Sequence, residues 1–158
     1  MSNPSLPLSG KRALVTGGAR GIGAAIALKL AQDGADVALT YENSAEKAEA
    51  IAADIRALGR KAVAIKADAG SVPGGQTAVD ETVAALGGLD ILVNNAGTAR
   101  VGAFAEQSLE DIELVLNVNI RGVLLTTQAA LKHVPDGGRI ITIGSNVGQQ
   151  VPFGGLTV

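Results

Sequence analysis

Three places in the sequence hold residues whose type and spacing could do chemistry. Ser145 follows the apolar run "RIITI" and Gly144, which sets a hydroxyl at the C-terminal end of a strand. Parallel α/β sheets bind ligands at that end. Asn119 lies inside "LNVNIRG", in a stretch with helical apolar spacing. Asparagine is a poor residue for a helix interior, so one placed there needs a reason, and a carboxamide that donates and accepts hydrogen bonds can supply it. The third place is "TGGARGIG", with Gly17, Gly21 and Gly23 spaced as T-G-x-x-x-G-x-G between an apolar strand-like run and a helical one. Such a turn lets the backbone approach a pyrophosphate, and the helix that follows offers free N–H groups and the positive end of its dipole. Glycine turns also simply join strands to helices. This one is the first βα turn, with a second strand after it, as a dinucleotide site requires.

The elements that must position these residues alternate along the chain. Apolar runs at Arg12–Thr16, "DVALTY", "KAVAIKA", "DILVN" and "RIITI" read as five strands. Helical spacing predicts helices over about Ile22–Asp33, over the stretch carrying Ala48, Ile51, Ala52, Ile55 and Leu58, over Val72–Leu86, and over Ser108 to about His133. Gly34 and Gly59 sit where helices close, and Asn43 with Glu46 resembles a capping box. Glu110 and Asp111 stand in a first turn, where the helix dipole favours acids. Continuously apolar strands alternating with helices predict an α/β doubly wound (Rossmann) parallel sheet, strand order 3-2-1-4-5, in a single dinucleotide-binding domain over residues 1–158.

Composition narrows the function. At 158 residues and 47% hydrophobic content the chain can bury a core, which two Phe, one Tyr and no Trp leave to Ala, Val, Ile and Leu. A net charge of −2 without a basic run gives nucleic-acid binding little support. With no cysteine, disulfides, thiolate chemistry and thiol metal sites are excluded, and no metal site is expected. The first residues lack an apolar stretch behind a basic head, and no apolar run approaches the ~20 residues of a membrane span. A cytoplasmic location is the expectation.

The motifs together resemble the short-chain dehydrogenase/reductase family. Besides the glycine turn, "LDILVNNAG" is similar to that family's Asn-Asn-Ala-Gly segment, "LNVNIRG" to its mid-helix asparagine region, and "GRIITIGS" to its catalytic-serine strand. The resemblance runs from Lys11 to Val158 and is nearest the bacterial 3-oxoacyl-carrier-protein reductase type. It implies hydride transfer between a nicotinamide and a ketone or alcohol, in a homotetramer that uses two long helices per subunit at one interface. It also implies that Ser145 holds the substrate oxygen, and that Asn119 anchors a water. Asp68, with Ala69 after it, matches the adenine-contacting acid. Asn95, Ala96 and Gly97 would lie along the nicotinamide ribose, Gly17, Arg20, Gly21, Ile22 and Gly23 around the phosphates, and Asn94 would tie strands together. His133 reads as surface structure.

The cofactor follows from the end of the second strand. NAD enzymes usually carry an acid there that binds both ribose hydroxyls and repels a 2′-phosphate. Here Thr40 and Tyr41 occupy the discriminating positions, and Arg20 could pair with a 2′-phosphate. Both favour NADP(H) over NAD(H); a strand ending one residue later would make Glu42 an NAD-type acid.

The resemblance implies one more pair, a tyrosine acid/base and a lysine four residues on. A phenol of pKa ~10 needs such a cation to work near neutrality. The tyrosine is expected thirteen or fourteen residues after the serine, and Val158 is thirteen after Ser145. The single tyrosine, Tyr41, has Ala45 four residues on. The expectation is therefore a C-terminally incomplete domain: part of a longer polypeptide, a truncation, or a short dinucleotide-binding protein without catalysis. The 158-residue chain alone is expected to be inactive, with an open fifth strand that favours self-association.

Overall fold

The computed structural model describes residues 6–145 and the backbone of residues 156–157. Its strands and helices are β1 (Arg12–Val15), α1 (Gly21–Gln32), β2 (Asp36–Tyr41), α2 (Ala45–Ala57), β3 (Ala62–Lys66), α3 (Gly74–Leu86), β4 (Ile91–Asn94), β5 (Arg100–Val101), α4 (Leu109–Leu116), α5 (Val123–Ala130), β6 (Arg139–Thr142) and β7 (Leu156–Thr157). Five strands form one parallel sheet in the order β3-β2-β1-β4-β6. With β6 as the fifth expected strand, this is the order 3-2-1-4-5. The register aligns Val15 with Leu39 on one side and Val93 on the other.

Alternation along the central strands splits the core between two faces. Val15, Val37, Leu39 and Val93 pack with Ala27, Ala31, Ala48, Ala52 and Ile55 of α1 and α2. Leu14, Ala38 and Leu92 point the other way, onto Ala78, Val79, Leu86, Ala129 and Ala130 of α3 and α5. Alanine on the helix faces lets backbone and sheet come close. α3 and α5 also approach closely: a Cβ at Gly75 would lie 2.8 Å from the Thr126 nitrogen.

At the far edge, all four residues of β6 are exposed, unlike the buried residues of β4 beside it. Ile140 and Ile141 pair with Leu92 and Val93 and leave their outer surfaces open.

Helix ends follow local chemistry. Gly34 and Gly59, with φ of +106° and +76°, close α1 and α2 as their sequence places implied. Ser108 caps α4, its Oγ accepting the Asp111 N–H at 3.1 Å. The Asn43–Glu46 capping box does not form: Ser44 is the cap of α2 and makes no side-chain cap bond. The long helix from Ser108 is not uniform either. A π-helical segment, Asn117–Gly122, separates α4 from α5, and α5 ends at Ala130 rather than near His133. β5 and β7, an antiparallel pair of two residues each, carry no signal in the sequence pattern.

Candidate active site

Strand order reverses between β1 and β4, where a doubly wound sheet opens a crevice at its C-terminal edge. A cleft of about 620 Å³ lies there, within the range of cofactor sites. One wall is the turn from β1 to α1, with Gly17, Arg20, Gly21, Ile22 and Gly23; Tyr41, Asp68 and Ala69 line one end. Asn95, Ala96 and Gly97 line the other, joined by Thr98, Arg100, Leu114 and Val118. The fold thus brings together every candidate cofactor residue read from the sequence. Thr98 and Arg100 belong to the stretch 98–107 that the sequence marks as pocket-shaping; Asn43 and Ser44 also line the cleft, and only their adjacency to Tyr41 could have signalled them.

Two glycines of the turn answer different demands. Gly21 has φ +54°, and a Cβ there would meet nothing within 4 Å, so its backbone faces open space. Gly23 is packed: a Cβ would strike the Gly17 carbonyl and lie 2.5 Å from Asn95 Nδ2. Asn95 is the reason. Its Nδ2 donates to the carbonyls of Thr16 at 2.9 Å and Gly17 at 3.1 Å. The N–H groups of Asn95 and Ala96 both donate to Thr16 Oγ1 at 3.0 Å. The Asn95 carboxamide, expected along a ribose, therefore braces the turn.

Thr40 has a bracing role besides its place in the cleft lining. It is buried, and its Oγ1 accepts the Gly17 N–H at 2.9 Å, so it holds the turn from the β2 side. Both positions expected to discriminate cofactors, Thr40 and Tyr41, line the cleft, Thr40 with its hydroxyl committed to the turn. β2 ends at Tyr41, and Glu42 lies exposed in the bend beyond it, also on the cleft lining. Asn94 ties elements together: its carbonyl accepts the Ile143 N–H at 2.9 Å, and Nδ2 donates to Thr127 Oγ1 at 3.1 Å.

Asn119 lies in the π-helical segment, a feature common at functional sites. Its Oδ1 accepts the Thr98 N–H at 2.9 Å and its Nδ2 donates to the Thr98 carbonyl at 2.8 Å. The side chain thereby fixes the loop after Gly97 without itself lining the cleft. Arg100, beside that loop, pairs through Nε with Asp111 at 2.7 Å. Ser145 is exposed, just past the end of β6 and outside the cleft lining.

A partly buried ion pair lies at the opposite, N-terminal edge of the sheet. Arg12 Nε and N–H both donate to Asp90 Oδ2, at 2.7 and 2.9 Å. The hydrogen bond from Arg12 outweighs the desolvation of Asp90 and holds its carboxyl below the usual carboxylate range.

The short chain dehydrogenase family model matches residues 11–158, nearly the whole chain. The chain belongs to the short-chain dehydrogenase/reductase family. Among solved members it is similar to a Burkholderia cenocepacia short chain dehydrogenase in complex with NADP, with 56% identity and a TM-score of 0.92 over 94% of this chain and 61% of that one. A blue fluorescent protein from a metagenomic library, in complex with NADPH, gives 44% identity and a TM-score of 0.91, again over 94% of this chain and 61% of that one. A hydroxynaphthalene reductase of Aspergillus fumigatus is 47% identical over 140 residues, 89% of this chain and 51% of that protein. This family member thus spans about half the length of that curated relative. Among the described residues, no helix is long and apolar enough to cross a membrane.

Proposed function

We propose that this chain is the cofactor-binding part of an NADP(H)-dependent carbonyl reductase. The observation that carries the reading is the cleft at the β1/β4 switch point, with Gly21 open to it and Tyr41, not an acid, as the last residue of β2, Glu42 following in the bend. The residues present fit a dinucleotide phosphate: small residues line the phosphate wall, Arg20 brings a cation, and Tyr41 stands where an NAD-type acid would repel a 2′-phosphate. NADPH, when bound, supplies the hydride. The chain's own residues bind and orient. Gly17–Gly23 cradle the phosphates, Asp68 and Ala69 flank the adenine, and Asn95–Gly97, with Asn119 behind Thr98, shape the nicotinamide end. Ser145 is the proposed donor to the substrate oxygen. The related proteins bound to NADP and NADPH support the same choice.

The substrate is a ketone. The sequence resemblance favours a 3-oxoacyl thioester; the similarity to a hydroxynaphthalene reductase favours a phenolic cyclic ketone instead. The full enzyme is proposed to be a homo-oligomer, with the exposed Leu116, Ile120 and Leu124 along α4 and α5 as a surface two copies could share. No residue among the 158 supplies the tyrosine–lysine acid/base pair, so this polypeptide is expected to bind NADPH and reduce neither ketone. The test follows NADPH oxidation at 340 nm with both substrate classes beside a full-length relative. A rate within tenfold of that relative would overturn the assignment of the acid/base to residues outside this chain. A non-catalytic binding module, the alternative from another class, predicts no turnover even when a Tyr-x-x-x-Lys segment follows Val158.

A further inference from the structure

The π-helical segment touches both ends of the cleft. Asn119 holds Thr98 at one end. At the other, Gly122 is backed against the Ala69 carbonyl, so closely that a Cβ would collide with it, and Val118 lies 3.0 Å from where a Gly70 Cβ would stand. Between Val118 and Gly122 the segment presents Arg121. Its Nη2 donates to the Gly70 carbonyl at 2.9 Å. Gly70 in turn donates its N–H to Asp68 Oδ1 at 2.8 Å. A guanidinium on one element thus holds the carbonyl of Gly70 on another, and the N–H of the same residue, in the preceding peptide, holds a carboxylate in the cleft. With Oδ1 taken, the carboxylate has one defined orientation, and Oδ2 carries no hydrogen bond among the described residues.

We propose that Arg121 is a positioning residue for cofactor selection, acting through Gly70 to aim Asp68 at the 6-amino group of an adenine. The proposal rests on the dinucleotide reading of the cleft. Its physical content is order rather than attraction. Arg121 is exposed and touches no part of the cleft lining, so its own charge does little for affinity. Locking the 68–70 turn before binding removes the need to order it during binding. Asp68, so held, accepts a hydrogen bond from an amino group and has nothing to accept from a carbonyl oxygen at the same place.

The experiment compares NADPH with its hypoxanthine analogue, which carries a carbonyl where adenine carries the amino group. Dissociation constants are read from the enhancement of dihydronicotinamide fluorescence, for the wild-type chain, Arg121→Met and Arg121→Lys. The wild type is expected to favour NADPH by about tenfold, the worth of one charge-assisted hydrogen bond. Arg121→Met should lower that ratio to about threefold or less, and Arg121→Lys should restore most of it. The ratio is the decisive readout, because general damage to the fold weakens both dinucleotides together. An unchanged ratio in Arg121→Met, with wild-type binding intact, overturns the role of Arg121 and leaves the cofactor reading standing. A wild-type chain that binds neither dinucleotide overturns the cofactor reading and the proposal with it.

Discussion

Replacing Gly23 by alanine separates the two uses of glycine in the β1–α1 turn. The new methyl would strike the Gly17 carbonyl and press on Asn95 Nδ2. One neighbour is backbone, and the other is the amide that holds Thr16 and Gly17. Neither yields cheaply. Overpacking of this kind costs about 1–3 kcal/mol, and losing one or both Asn95 bonds adds about 1 kcal/mol each. Alanine recovers about 1 kcal/mol over glycine within a helix. The net loss is then about 1–4 kcal/mol of stability, with a displaced phosphate wall. Urea unfolding should register the first. A rise of roughly tenfold or more in the dissociation constant for NADPH should register the second, equivalent to about 1.4 kcal/mol of binding. Gly21→Ala is the companion variant. Its methyl meets no neighbour, and its cost is backbone strain at positive φ, about 1–2 kcal/mol, without loss of the Asn95 brace. A Gly23→Ala chain as stable as wild type, with unchanged NADPH affinity, would refute the claim that Asn95 and the glycine turn form one packed unit.

Two other perturbations follow from the same contacts. Asp90→Asn should cost about 2–3 kcal/mol at neutral pH, below the full penalty for breaking a buried pair because Arg12 keeps partial access to water. Because the folded-state pKa of Asp90 is depressed, the wild-type advantage is present above the ordinary carboxylate range and is lost as pH falls through the folded pKa. Unfolding curves of the two proteins should therefore converge below about pH 4 and diverge above it. Asn119→Ala removes both bonds to the Thr98 peptide, and about 1–2 kcal/mol with them; hydrogen exchange at Thr98 should quicken while amides of β1 keep their protection.

How much of this was legible in the sequence depended on the range of the forces involved. β2 was read to the residue because the run "DVALTY" has an apolar centre bounded by Gly34 and by the polar "ENS", and its length is set locally. The strand order followed from chain connectivity and handedness. The cleft lining was legible because the glycine turn, Asp68 and the Asn95–Gly97 segment each follow a parallel strand, and all those strand ends share one edge. The misses belong to contacts between distant segments. Nothing in "VNNAG" says that the Asn95 amide turns back to Thr16 and Gly17, because that depends on how closely β1 and β4 approach. The second task of Thr40, accepting the Gly17 N–H besides lining the cleft, was hidden for the same reason: that contact is tertiary. The π-helical register has no periodic signal over six residues; the Asn119–Thr98 and Gly122–Ala69 contacts accompany it. The two-residue ladder of β5 and β7 is shorter than any alternation can reveal.

The most direct test of the central claim is a paired titration of the 158-residue chain with NADPH and NADH, followed by nicotinamide fluorescence. The account predicts saturable NADPH binding and at least a tenfold preference over NADH, because Arg20 is proposed to pair with a 2′-phosphate and β2 ends at Tyr41, ahead of Glu42. Equal affinities, or a preference for NADH, would contradict it and would give Glu42 the role of the ribose-binding acid.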